Sequence, residues 1–154
     1  MDRVKNIFDR IGSLIPGYSG YAERDGRRNC DKILRNSIVS QLIEIEKSFN
    51  NRMSEALKIK DKQTMNLIEE SRKQINTFLS KVKFAPYGET GFFSDSQIKE
   101  DELFTIYQND LDLADNVNQL QNFSSSVEFS GIKEQVEKCI QTLLKRNNYI
   151  NEFK

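Results

Sequence analysis

The chain has 154 residues, with 23 basic and 23 acidic side chains, so its formal net charge is zero. That length suits one domain around one hydrophobic core. The charge balance argues against a protein whose main task is coating nucleic acid, because such binding rests on neutralising many phosphates.

Histidine is absent. Ser-His and Cys-His nucleophile pairs, imidazole acid–base chemistry and imidazole metal ligands are therefore excluded. The Glu-x-x-His pairs of a ferritin-like di-metal site cannot form either. Carboxylate, Lys, Tyr or Cys chemistry stays open, so an enzyme is disfavoured as a class but not removed. No metal or cofactor is expected. With two Pro, seven Gly, no Trp and 30% charged residues, the composition is that of a soluble helical protein.

In chain order, residues 2–12 predict a short amphipathic helix. Val4, Ile7, Phe8 and Ile11 share one stripe, and Gly12-Ser13 ends it. Ser13 to Tyr21 form a connector in which Pro16-Gly17 suits the centre of a type II turn. One long helix follows from about Ala22 to Lys60 on Cys30, Leu34, Ile38, Leu42, Ile45, Phe49, Met53 and Ala56. Gly26 weakens its start, so its regular part begins near Arg27. Asp61 caps a third helix, about Lys62 to Lys83, with Met65, Ile68, Ile75, Phe78, Leu79 and Val82 inward.

Residues 84–94 read as a loop, in which Pro86 turns Ala85 from helix and Gly88 and Gly91 break the backbone. Ser94 or Asp95 then caps a fourth helix, about Ser96 to Phe123, on Ile98, Leu103, Ile106, Leu113, Val117 and Leu120. A Ser-rich linker spans 124–130, where Val127-Glu128-Phe129 is too short for a strand. The last helix, within 131–154, starts near Gly131 on Ile132, Val136, Cys139, Ile140, Leu143 and Ile150. The expected fold is all-α: an antiparallel bundle of four main helices, one very long, plus the short first helix. The single domain divides into 1–21, 22–123, 124–130 and 131–154.

Cys30 and Cys139 fall on core positions without C-x-x-C spacing, so they predict buried thiols in a reducing compartment, with one long-range disulfide as the alternative. Charges interrupt residues 1–15, unlike a signal peptide, and no apolar run reaches the roughly 20 residues a membrane span needs. The expected location is the cytoplasm.

Chemistry concentrates in two places. In the first, Arg24, Arg27, Arg28, Lys32 and Arg35 crowd one helix start just after Tyr18 and Tyr21. They suit either anion binding at free backbone N–H groups or a local charge ladder on Asp31. The second is the aromatic loop with Phe84, Tyr87, Phe92 and Phe93. The third helix doubles back along only about half of the second. The loop can run along the other half and bring both aromatic segments to one end of the bundle, as a core plug or as a groove.

The segment P-G-x-x-G-Y (Pro16 to Tyr21) and then R-R-x-x-D-K-x-L-R (Arg27 to Arg35) resembles an N-terminal signature of small, uncharacterised bacterial helical proteins. A fainter P-Y-G-x-x-G-F-F echo lies at Pro86 to Phe93. The resemblance covers about 20 residues and implies a helical fold and no reaction.

Residues 95–115 hold seven acidic groups against Lys99. Asp101, Glu102, Asp110, Asp112 and Asp115 read as a solvated acidic face, since an EF-hand's Gly turn is missing. The first helix carries three cations against two anions on residues 2–12, which makes binding to anionic lipid weak. The leading expectation is a non-enzymatic module that binds a protein partner or forms a homo-oligomer, because one helix is longer than its neighbours can cover. The alternative is a small-ligand or phosphate site between Tyr18–Arg28 and the 84–93 loop. Membrane association through residues 1–12 comes third.

Overall fold

Helical periodicity in the sequence becomes five α-helices in the computed structural model, which describes residues 2–85, 87, 90–94, 97–125 and 131–153. They are α1 (Asp2–Leu14), α2 (Arg27–Ile59), α3 (Lys62–Lys83), α4 (Glu100–Ser125) and α5 (Ile132–Asn151). Short 3-10 turns lie at Arg24–Gly26 and Gly91–Phe93, and no strand occurs among the described residues. At 33 residues, α2 is the longest element. It packs on α3 and α4; α5 packs on both of those as well, and α1 lies on α4. One apolar cluster draws on all five helices and contains both cysteines as free, buried thiols.

Each junction has a local cause. α1 runs past Gly12 to Leu14, because one further turn carries Ile15 into the core beneath Ile11. At the Pro16-Gly17 turn, the Tyr18 N–H donates to the Ile15 carbonyl at 3.2 Å, and Gly17 takes a φ of 85°. α2 ends where Lys60 adopts the left-handed conformation and the Asp61 N–H donates to the Ala56 carbonyl at 2.9 Å. Asp61 then caps α3, its carboxylate accepting from the Thr64 N–H at 3.1 Å and the Thr64 hydroxyl at 2.6 Å.

α4 departs from expectation at both ends. It starts at Glu100 and not near Ser96, because the Glu102 side chain reaches back to the Lys99 N–H at 2.9 Å and fixes the first turn there. Ile98 is half-buried ahead of the helix, and of the expected caps Ser94 closes the 3-10 turn. Asp95 and Ser96 lie outside the described residues, as do Pro86 and Gly88 of the loop. At the other end Ser124 is buried in the helix and bonded to the Gln121 carbonyl, so the expected linker begins later. Its remainder, 126–130 with Val127, Glu128 and Phe129, lies outside the described residues.

Reach along the helices decides what stays uncovered. Asp31, Asp110 and Arg146 meet at one level. From that level α2 extends about 42 Å to Ile59, whereas α4 to Ser125 and α5 back to Ile132 extend at most about 22 Å. Beyond Phe49 the only buried residue of α2 is Ala56, and α3 has none before Ile68. The turn joining α2 and α3 therefore projects, with Leu57 58% and Ile59 74% exposed.

Candidate functional site

The chemically richest region lies at the opposite end, and it is internal. Arg146 of α5 is fully buried. Its Nε–H donates to Asp110 of α4, and its Nη2 donates to Asp31 of α2 at 2.7 Å and to the Tyr21 hydroxyl at 3.0 Å. Its Nη1 donates to the Tyr87 hydroxyl at 2.6 Å. The phenols pass their protons on. Tyr18 and Tyr21 donate to Asp110 Oδ2 at 2.6 and 2.5 Å, and Tyr87 donates to Asp31 Oδ1 at 2.6 Å. Arg35 closes the system from the solvent side, with Nε 2.9 Å from Asp31 Oδ2. Two carboxylates thus face two guanidiniums, and each charge of this cluster has an opposite partner and hydrogen bonds, as burial requires.

Burial alone pushes the Asp31 carboxyl up, but Arg146, the Tyr87 hydroxyl and Arg35 outweigh it and hold the group below its ordinary value. Burial and then the Asp110 charge raise Tyr18 and Tyr21 well above the usual phenol range. Burial opposes the Arg146 charge, yet Asp110 and its other neighbours hold that guanidinium protonated. The arrangement therefore stores charge without offering it. Arg146 stands between the two carboxylates.

The two aromatic segments do meet at this end. The Tyr21 and Phe92 rings lie 5.0 Å apart, as do Phe92 and Phe93, and Tyr87 lies 5.1 Å from Phe93. Tyr18, Tyr21, Phe92 and Phe93 are buried and Tyr87 is half-buried. Phe84 does not join them: it is 72% exposed, against Lys83. Arg27 is buried with its Nε on the Tyr21 carbonyl at 3.0 Å and Nη1 on the Phe92 carbonyl at 3.2 Å. Arg28 lies over the Phe93 ring at 5.1 Å, and Arg24 is exposed.

Asp110 corrects the reading of a wholly solvated acidic face, because it points into the core with no exposure. Asp112 and Asp115 remain half-exposed, on Gln108 and Arg10 respectively. Apolar spacing does not mark Arg146 or Tyr107, whose hydroxyl accepts from the Tyr21 N–H at 2.9 Å. A sign of the pair was present. The inward ladder of α4 skips from Ile106 to Leu113 and that of α5 from Leu143 to Ile150. A charged residue stands at the missing helical step in each.

Among the described residues no helix is long and apolar enough to cross a membrane. Comparison with protein-family models, curated proteins and solved structures finds no match for this chain.

Proposed function

We propose that the chain is a non-enzymatic, cytoplasmic helical interaction module, laid out as an antiparallel bundle, that binds a protein partner or a second copy through the projecting end of α2 and α3. The observation that carries this reading is the exposure of Leu57, Ile59 and Leu67 where α4 and α5 cannot reach. The buried charge cluster supports it from the other side, since it braces the bundle and leaves the distal hairpin to make external contacts.

The anion-site alternative has less support. Tyr18, Tyr21, Arg27 and Arg35 are all turned onto internal partners. Membrane binding through the first helix is weakened similarly, because Ile7 and Ile11 already belong to the core. The test is a pull-down from the host, with light scattering, comparing the native chain with Leu57→Ser/Ile59→Ser. The expected result is loss of a specific partner or of self-association at unchanged helicity. A variant that keeps every partner and the same oligomeric state overturns the proposal.

A further inference from the structure

The projecting end is basic as well as apolar. Leu57 and Ile59 are the two most exposed Leu and Ile side chains among the described residues. Lys58, Lys60 and Lys62 stand exposed around them and form no ion pair among the described residues. Asp61 is turned onto Thr64 as the cap of α3. The next acid back along α2, Glu55, sits about 6 Å behind Ile59. The next along α3, Glu69, sits about 10 Å behind Lys62 and pairs with Arg72. The end itself therefore holds three cations against one anion.

Their arrangement selects the occupant. Leu57 and Ile59 point about 200° apart around α2 with Lys58 between them, so no groove or helix face laid along the hairpin covers both. Contact made end-on does cover both. A bilayer interface makes such a contact, because it is fluid and closes round a protruding end. Aliphatic side chains enter it, while lysine stems run back beside them and keep their ammonium groups at the lipid headgroups. The reach fits as well. The end stands about 20 Å beyond Ser125 of α4 and Ile132 of α5. Interfacial groups enter by only about 5–10 Å, so α4 and α5 stay clear of the lipid.

We infer that the α2–α3 end docks on an anionic bilayer, with Leu57 and Ile59 in the headgroup layer and Lys58, Lys60 and Lys62 against acidic headgroups. This goes beyond the docking reading, to which it adds a lipid surface as a further partner of the same end. Two aliphatic side chains or three lysines alone hold a protein weakly at a membrane; together they supply an apolar and a basic signal. Binding is therefore reversible, needs acidic lipid and weakens with salt.

Vesicles of phosphatidylcholine with about 30% phosphatidylserine test it against vesicles of phosphatidylcholine alone. The native chain is expected to sediment with the acidic vesicles, and at least about tenfold less with neutral ones or in high salt. Leu57→Ser/Ile59→Ser and Lys58→Gln/Lys60→Gln/Lys62→Gln should each lower that binding by at least about tenfold at native helicity. The chain has no Trp, so a single introduced one reports its own surroundings. Ile59→Trp emission should shift to the blue on acidic vesicles. Phe84→Trp, exposed at the opposite end of α3, should not respond.

A native chain that stays off acidic vesicles at low salt overturns the inference. So does equal binding to neutral vesicles, binding that survives either set of substitutions, or a blue shift of Phe84→Trp without one of Ile59→Trp. If vesicles are ignored while Leu57→Ser/Ile59→Ser still loses a protein partner in the pull-down, the bilayer contact falls and the docking reading stands. Vesicle binding with every protein partner and the oligomeric state retained supports the bilayer contact and overturns the docking reading alone.

Discussion

Arg146 on α5 pairs with Asp110 on α4 inside the core, each at the helical step where its own apolar ladder is interrupted. Asp110 meets Arg146, and Arg146 spans Asp110 and Asp31, so these contacts set the register of α4 against α5. Asp31 brings α2 into the same register.

Removing one member leaves its partner charged and buried. Arg146→Met is expected to cost about 3–5 kcal/mol, as is Asp110→Leu, measured by denaturant unfolding. The double replacement should recover much of that loss, because it leaves neither of these charges stranded. Recovery stays incomplete while the Tyr18 and Tyr21 hydroxyls lack their acceptor, and Tyr18→Phe/Tyr21→Phe in the same background should restore more. If the double variant loses as much as both single variants together, the pair is not the coupled unit described here.

Helix placement was legible because apolar spacing and caps agree locally. α3 begins and ends at its expected residues, with Asp61 as its cap, and Arg27 starts the regular part of α2. The convergence of the two aromatic segments followed from helix lengths alone. Asp110 and Arg146 were illegible one helix at a time, since a charge within an apolar stripe usually faces solvent; only the facing interruption in the other helix shows that they pair. The start of α4 departs from the spacing because Glu102 fixes that turn from inside the helix.

Tyrosine ionisation should be locked to unfolding. Burial comes first among the causes that raise Tyr18, Tyr21, Tyr87 and Tyr107 above the ordinary phenol value of 10.0. A raised folded value stabilises the fold fully below pH 10 and loses that contribution as pH rises further. Tyrosinate absorbance for these four should therefore appear in one step with loss of helical circular dichroism. Gradual ionisation around pH 10 in a chain that stays helical would contradict this burial.

The acid limb has the opposite sign. Asp31 is held below its ordinary value of 3.8, so its contribution is present above that pH and drains away as pH falls below it. Tyr87→Phe removes one hydrogen bond that favours the carboxylate. It should lower stability by about 1–2 kcal/mol and move the acid unfolding midpoint to higher pH. An unchanged midpoint would show that Arg146 and Arg35 alone fix the Asp31 charge.

Gly17 and Gly20 share left-handed backbone, with φ of 85° and 83°, but not the space around it. An alanine Cβ at position 17 meets nothing closer than Ile33 at 3.9 Å. At position 20 it falls 2.5 Å from the Tyr107 hydroxyl and 2.8 Å from the Phe8 ring. Gly17→Ala should cost about 1 kcal/mol, from conformation alone. Gly20→Ala should cost clearly more, because Tyr107 must also give up its contact with the Tyr21 N–H. Equal losses in denaturant titrations would mean that the connector can move away from α4.

Lys60 offers the opposite opportunity. It is the one non-glycine residue with positive φ among the described residues, at 58°, in the C-cap of α2. Glycine relieves the Cβ clash of that conformation, so Lys60→Gly should stabilise by about 0.5–1 kcal/mol and raise Tm by about 1–4 °C. The neighbouring Asp61→Ala removes the cap on α3 and should cost about 1 kcal/mol. Hydrogen exchange at Ala56 to Ile68 separates local from global effects: slower exchange in the first variant and faster in the second, confined to this end, means the projecting hairpin opens independently of the rest. If exchange changes equally throughout, the hairpin unfolds together with the charge cluster some 40 Å away along α2.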